Sequence, residues 1–253
     1  MQHVLRTIHH LSCSGGTLIS KCIAAMQNIA LASEVHPYNP GPYRYNPFDP
    51  VQLLLAGNMI ESDKTRLDEI FRQRIELANR FCLEDKKTLV IRDHSHFDFL
   101  MKPEPSPEPK SVLNLLEADY HVNSVLTVRN PIDSFCSMNS NKWNHGGLDF
   151  DSYCKRVLIF LDAYKDFPLY KYENFCSAPE SVMKAICKNL DITYYQGFIN
   201  KFHQIELTGD SGRGKKLTII RPLPEVTYSD AFRQEVARSY YYRAVSERLG
   251  YEL

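Results

Sequence analysis

Short apolar runs alternate along this chain with longer stretches whose apolar residues return every three or four positions. Runs of the first kind are His3 to His10, Thr88 to Arg92 (TLVIR), Val122 to Val128 (VNSVLTV) and, briefly, Leu169 to Tyr172. Short β-rich runs of this length suit strands of a sheet covered on both faces. The longer period predicts a helix from about Thr17 to Leu31 and another through Leu67, Ile70, Phe71, Ile75, Ala78 and Phe81. Further helices are expected from Ser111, from about Pro131, over Asp151 to Tyr164 and over Pro179 to Leu190. One last helix is expected from about Ser229 to Leu249. Ala32 to His36 is ambiguous. His36 to Pro50 is a loop rich in Pro, Tyr and Asn, and KPEPSPEPK (Lys102 to Lys110) has a proline at every second position, which forbids helix and central strand. Strands alternating with helices predict right-handed βαβ crossovers. The expected fold is therefore α/β, a three-layer sandwich with a central, mostly parallel sheet, in one domain over residues 1–253.

Charge narrows the function. Thirty Lys and Arg balance thirty Asp and Glu, so no basic excess is available for a broad nucleic-acid surface, although a local anion pocket is compatible with a zero sum. No apolar stretch reaches the length of a membrane span. The apolar run at the N-terminus is broken by Arg6, His9 and His10, unlike a signal peptide. Seven scattered cysteines without a CxxC pair read as reduced thiols, which points to the cytoplasm.

The loop after the first run, HHLSCSGGTLISK, falls at the carboxyl end of a strand and opens a helix, where α/β sheets hold ligands. Gly15 and Gly16 permit close backbone approach, Ser14 and Thr17 add hydroxyls, and helix N–H groups favour an anion. It is not a Walker A loop, because Gly16 stands where the lysine belongs and His10 where the first glycine belongs. Lys21 lies one turn further along. A second anion site is expected after VNSVLTV. There Arg129 ends the strand, Asn130 and Pro131 start a helix, and Ser137 lies on that helix. Arg129 suits a phosphate through paired hydrogen bonds.

Arg-Asn-Pro-x-Asp-x-x-x-Ser after a buried strand, with Ser-Gly-x-Thr after the first, resembles the sulfotransferase family. That resemblance implies a P-loop nucleoside triphosphate hydrolase-like fold and 3′-phosphoadenosine 5′-phosphosulfate (PAPS) as donor, with no metal. By resemblance Ser14, Gly15, Gly16 and Thr17, flanked by Cys13 and Leu18, hold the 5′-phosphosulfate. Arg129 and Ser137, at the family's eight-residue separation, hold the 3′-phosphate. Tyr172, in PLYKYENFCS, corresponds to a residue near the adenine. TGDSGRGKK is similar to the loop closing over the 3′-phosphate, through Ser211, Gly212, Arg213, Gly214 and Lys215.

His94, in VIRDHSHFDF, matches the position of the family's general base, with His96 two residues on. Histidine suits the task because it titrates near neutrality. Asp93, Asp98 and Arg92 are candidates for orienting an imidazole or balancing charge. The His-x-His spacing also invites a metal, but no carboxylate or cysteine stands at a recognisable spacing, so none is expected. One departure matters: the family often has Lys or Arg where this chain has Cys13, so another cation, Lys21 for instance, must support the leaving group. The long loops at His36–Pro50 and Met101–Lys110 are expected to line a pocket for a small-molecule or glycan acceptor. The first reading is thus sulfuryl transfer to a hydroxyl or amine. A kinase-like phosphotransferase and a non-catalytic nucleotide-binding protein are the alternatives, and the oligomeric state is open.

Overall fold

The structure is a computed structural model that describes residues 4–38, 49–57, 59–61, 63–101, 104–106, 108–208, 218–222 and 228–252. Five strands form one sheet: β1 (Val4–His10), β2 (Ile29–Val35), β3 (Thr88–Asp93), β4 (His121–Val128) and β5 (Leu169–Lys171), in the order β2-β3-β1-β4-β5. Every pairing is parallel, with Ile8 opposite Arg92 and Val125.

Helices cover both faces. Gly16–Ala24 (α1) follows β1, Pro50–Ala56 (α2) and Lys64–Glu84 (α3) precede β3, and His96–Phe99 (α4) and Ser111–Glu117 (α5) lie between β3 and β4. Pro131–Ser140 (α6) and Phe150–Ala163 (α7) follow β4. Tyr172–Ser177 (α8), Pro179–Leu190 (α9), Asp230–Arg238 (α10) and Tyr240–Leu249 (α11) complete the set.

The two-residue period of the strands sorts side chains into two cores. Leu5, Leu89, Ile91, Leu126 and Val128 pack with Phe71, Leu113, Phe160 and Val245, from α3, α5, α7 and α11. Ile8, Val90 and Val125 pack on the other face with Ile19 and Ile23 of α1 and Met183 and Ile186 of α9. Each large side chain fully buried in this way contributes about 1.5–3 kcal/mol.

Four expectations are corrected. The first helix stops at Ala24 rather than Leu31: Asn28 takes a left-handed conformation (φ 59°), and residues from Ile29 pair with β3 instead. An apolar run such as Ile29 to Ala32 satisfies either period, and the free edge of β3 decides it. The last helix is two, broken at Ser239, whose hydroxyl accepts from the Tyr242 N–H and donates to Asp151. Phe81 faces solvent, and the buried stripe of α3 runs through Phe71 and Ile75. Tyr172 also begins α8 rather than ending β5.

Candidate active site

The carboxyl ends of all five strands open on one edge of the sheet, so segments distant in sequence meet there. β1 delivers the loop Leu11–Gly15, β2 delivers Glu34, β3 delivers Arg92 to Ser95, β4 delivers Arg129 and β5 delivers Tyr172. The strand order reverses around β1, which is where a crevice forms in sheets of this kind.

The first loop is built on two glycines. Gly15 caps α1 at φ 81°, a left-handed conformation that favours glycine. A Cβ there would lie 2.1 Å from Cδ2 of Tyr172, and one on Gly16 would lie 2.3 Å from the His10 ring. Ser14 Oγ donates to the Leu11 carbonyl at 2.7 Å and closes the turn. No acidic residue occupies the first turn of α1, so the positive end of the helix dipole is not neutralised by its own side chains. Cys13 stands half-buried at φ 62°, with its Sγ 3.9 Å from Nδ2 of Asn141.

Arg129 is buried, with a side chain only 4% exposed. Its Nη2 donates to Asp133 at 3.1 Å, and the guanidinium carbon lies 5.1 Å from the centre of the Tyr172 ring. Nε has no hydrogen-bond partner among the described residues. A buried cationic donor without a partner is costly. Asn130 caps α6 by accepting from the Ile132 N–H at 2.9 Å, and Glu173 accepts from the Asn130 N–H at 2.8 Å, which fixes the turn carrying Arg129. Ser137 lies one helical turn beyond Asp133, on the same face. The Tyr172 ring therefore lies against the glycine loop and beneath the Arg129 guanidinium.

Arg92 ties the first loop to β2. Its Nε donates to His10 Nε2 at 2.7 Å, Nη2 donates to Thr17 Oγ1 at 2.9 Å and pairs with Glu34 Oε1 at 2.7 Å, and Nη1 donates to Ser33 Oγ at 3.0 Å. His10 then accepts at Nε2 and donates from Nδ1 to the Leu11 carbonyl at 3.0 Å. Burial, with the Arg92 charge, pushes this imidazole down to about 3. Thr208 docks on Ser33 through two hydrogen bonds of 2.9 and 3.0 Å, just ahead of the glycine and basic segment.

Adjacent residues diverge across the sheet. His10 and Arg92 serve the α1 face, while His9 and Asp93 meet on the other at 2.7 Å. His9 Nε2 reaches Thr7 at 2.8 Å and Thr7 reaches Ser124 at 2.6 Å; Ser95 and Tyr164 donate to the same Asp93 oxygen at 2.8 and 3.2 Å. Burial pushes the Asp93 carboxyl up, but the His9 bond and charge outweigh it and hold the group below its ordinary range. His36 Nε2 lies 3.2 Å from Asp98, which also accepts from the Ser111 N–H and hydroxyl, so the bases of both long loops are pinned together.

His94 Nε2 lies 3.2 Å from Glu34 Oε2 and in direct contact with Nε2 of His96. Burial lowers the affinity of both imidazoles for a proton. At His94 this prevails over the opposing pull of Glu34, and at His96 the neighbouring His94 adds to it. Both rings are thus neutral near pH 7, the form a base must have.

The structure brings Ser14 to Thr17, Arg129, Tyr172 and His94 to one edge, with Leu18 in the first turn of α1 and Ser137 two turns along α6. Lys21 is buried on α1, one turn beyond Thr17. Ser211, Gly212, Arg213, Gly214 and Lys215 lie outside the described residues, as does most of the loop at His36–Pro50. Glu34 was invisible to sequence reasoning. Nothing in the stretch Ala32 to His36 carries a motif, and only pairing of β2 with β3 sets it beside His94.

Among the described residues, no helix is long and apolar enough to cross a membrane. No protein-family model matches the chain, and no curated protein matches its sequence. Solved structures do match in shape. The sulfotransferase domain from the curacin biosynthetic pathway aligns with TM-score 0.55 and 18% identity, covering 99% of each chain. The sulfotransferase domain of the Synechococcus PCC 7002 olefin synthase aligns with TM-score 0.53 and 13% identity over 100% of this chain and 96% of that one. A mouse sulfotransferase complexed with PAP aligns with TM-score 0.50 and 13% identity over 98% of this chain and 89% of that one. The chain shares its fold, an α/β arrangement around one parallel sheet, with these proteins.

Proposed function

We propose that the chain, acting as a single sulfotransferase-like unit, transfers a sulfuryl group from PAPS to a hydroxyl or amine of a small-molecule or glycan acceptor. The observation that carries this reading is the pair of anion-seeking sites joined by one ring. Tyr172 contacts the glycine loop and underlies Arg129, whose buried Nε has no partner among the described residues. A nucleotide with phosphates at both 5′ and 3′ positions uses two such sites, whereas ATP uses one and needs a Walker lysine that Gly16 replaces. The mouse neighbour complexed with PAP supports the same donor class.

In this reading the N–H groups opening α1, with Ser14 and Thr17, grip the 5′ end, and Arg92 orients Thr17 by donating to its hydroxyl. Arg129 and Ser137 take the 3′-phosphate, assisted by Ser211 to Lys215, and Arg129 exchanges Asp133 for the stronger paired contact. The donor supplies an activated sulfuryl group. Neutral His94 removes the acceptor proton as the acceptor oxygen or nitrogen bonds to sulfur and the sulfur–oxygen bond to the 5′-phosphate breaks. With Cys13 in the loop, charge developing on that leaving oxygen falls to the helix dipole, Lys21 and Lys215.

Calorimetry with adenosine 3′,5′-bisphosphate, ATP and AMP tests the donor. Tight binding of the bisphosphate with weak AMP binding is expected, and preference for ATP overturns the reading in favour of a phosphotransferase. His94→Ala is expected to keep bisphosphate binding and lose transfer; unchanged turnover removes His94 as the base.

A further inference from the structure

We infer that Glu34, His94 and His96 form a three-ligand binding site for a divalent transition-metal ion, zinc by its ligand chemistry. One ligand atom from each residue lies within 4.8 Å of the other two. Glu34 Oε2 is 3.2 Å from His94 Nε2, and the Nε2 atoms of the two histidines point at each other with their rings 61° apart. Three donors therefore converge on one point. Donors on a tetrahedral zinc sit about 3.3 Å apart, given bonds of about 2.0–2.2 Å, and small side-chain rotations open this cluster to that spacing. Two imidazoles and one carboxylate with a fourth position left for water or substrate is a recurrent set for zinc.

The backbone aims the carboxylate on purpose. Glu34 has φ 60°, a left-handed conformation that costs a non-glycine residue free energy, and sits where the pairing of β2 with β3 shifts register between Ala32 and Val35. Without that shift the alternation of the strand would send its side chain elsewhere. Arg92 holds Oε1 at 2.7 Å and is itself fixed by His10 and Thr17, so Oε2 remains turned toward the imidazoles. An outer group that orients a ligating carboxylate in this way is the usual support of a metal site.

The site goes beyond donor binding and stands without the sulfuryl-transfer reading. Only one consequence rests on that reading. Zinc on His94 occupies the lone pair that proton removal requires, so zinc inhibits transfer and a chelator restores it.

The test is calorimetric titration of the metal-free full-length chain with Zn²⁺, with Co²⁺ followed in parallel by its visible absorption. One ion per chain is expected, with Zn²⁺ displacing Co²⁺. His96→Ala and Glu34→Gln should each weaken binding at least about tenfold, while His121→Ala, on the exposed start of β4, should leave it unchanged. Glu34→Gln keeps the size of the side chain, so it answers if His96→Ala fails to fold, as circular dichroism will show. Absence of binding to the wild-type chain overturns the site. So does binding that persists in both variants, which would place the ion on thiols instead. Bisphosphate titration of the same preparations reports separately on the donor site, so either assignment can fail alone.

Discussion

Arg129 stands buried at the carboxyl end of β4. Its guanidinium has Asp133 as one partner, and its Nε has none among the described residues, which the proposed 3′-phosphate would supply. Arg129→Ala should weaken adenosine 3′,5′-bisphosphate by roughly 1.5–3 kcal/mol, the worth of a charge-assisted contact, and leave AMP nearly unchanged. Calorimetry with both ligands reads the difference; equal losses would remove the 3′-phosphate assignment. Cys13 makes the opposite kind of prediction. It already stands in a left-handed conformation, so Cys13→Lys adds a cation without changing the class of backbone. Transfer should rise at least about tenfold, since a single stabilising donor on a developing oxyanion is worth about 10²–10³ in rate. A slower variant would show that the loop has found its charge elsewhere. Gly15→Ala should lose about 1 kcal/mol or more in urea unfolding, because its positive φ and the Tyr172 ring both oppose a Cβ.

At the scale of elements, the caps separate what was legible from what was not. Asn130 as a cap, and Pro131 and Pro179 at the first helical position, mark helix starts because these are local devices, and α6 and α9 begin there. The break at Ser239 is the exception. Its flanks share a helical period, and only the distant Asp151, accepting from the Ser239 hydroxyl at 2.6 Å and the Tyr241 N–H at 3.2 Å, turns the chain. Ser239→Ala should therefore cost about 1–2 kcal/mol in urea unfolding, because it removes the cap of α11, which covers α7. The first helix ends at Ala24 for a related reason: Ile29 to Ala32 satisfies both periods, and the edge of β3 makes it a strand.

For the whole molecule, the zero net charge conceals an uneven distribution. Arg92 and Arg129 are buried at one edge of the sheet, and three imidazoles there are held neutral by burial. His10 shows what this implies for stability. Unfolded, it binds a proton near pH 6.5, whereas folded it resists to about 3. Between those limits the unfolded chain holds the extra proton, so stability falls as pH drops below about 6.5, by up to about 1.4 kcal/mol per pH unit for this residue. Urea unfolding on either side of pH 6.5 should show the decline, and His10→Gln should make it shallower; an unaltered slope would mean that His10 is charged in the folded state.

From the chain alone came the α/β class and most strand and helix positions, with the glycine loop, Arg129, Ser137 and His94 as candidates, because periodicity, caps and short motifs are properties of neighbouring residues. The pairing of strands belongs to another order. It sends His10 and Arg92 to one face and His9 and Asp93 to the other, lays Tyr172 between two anion sites, and carries Glu34 beside His94. Those relations depend on how strands lie in a parallel sheet, where residues from about forty to more than a hundred positions apart become neighbours. No local pattern encodes that distance, and packing of the two cores is what closes it.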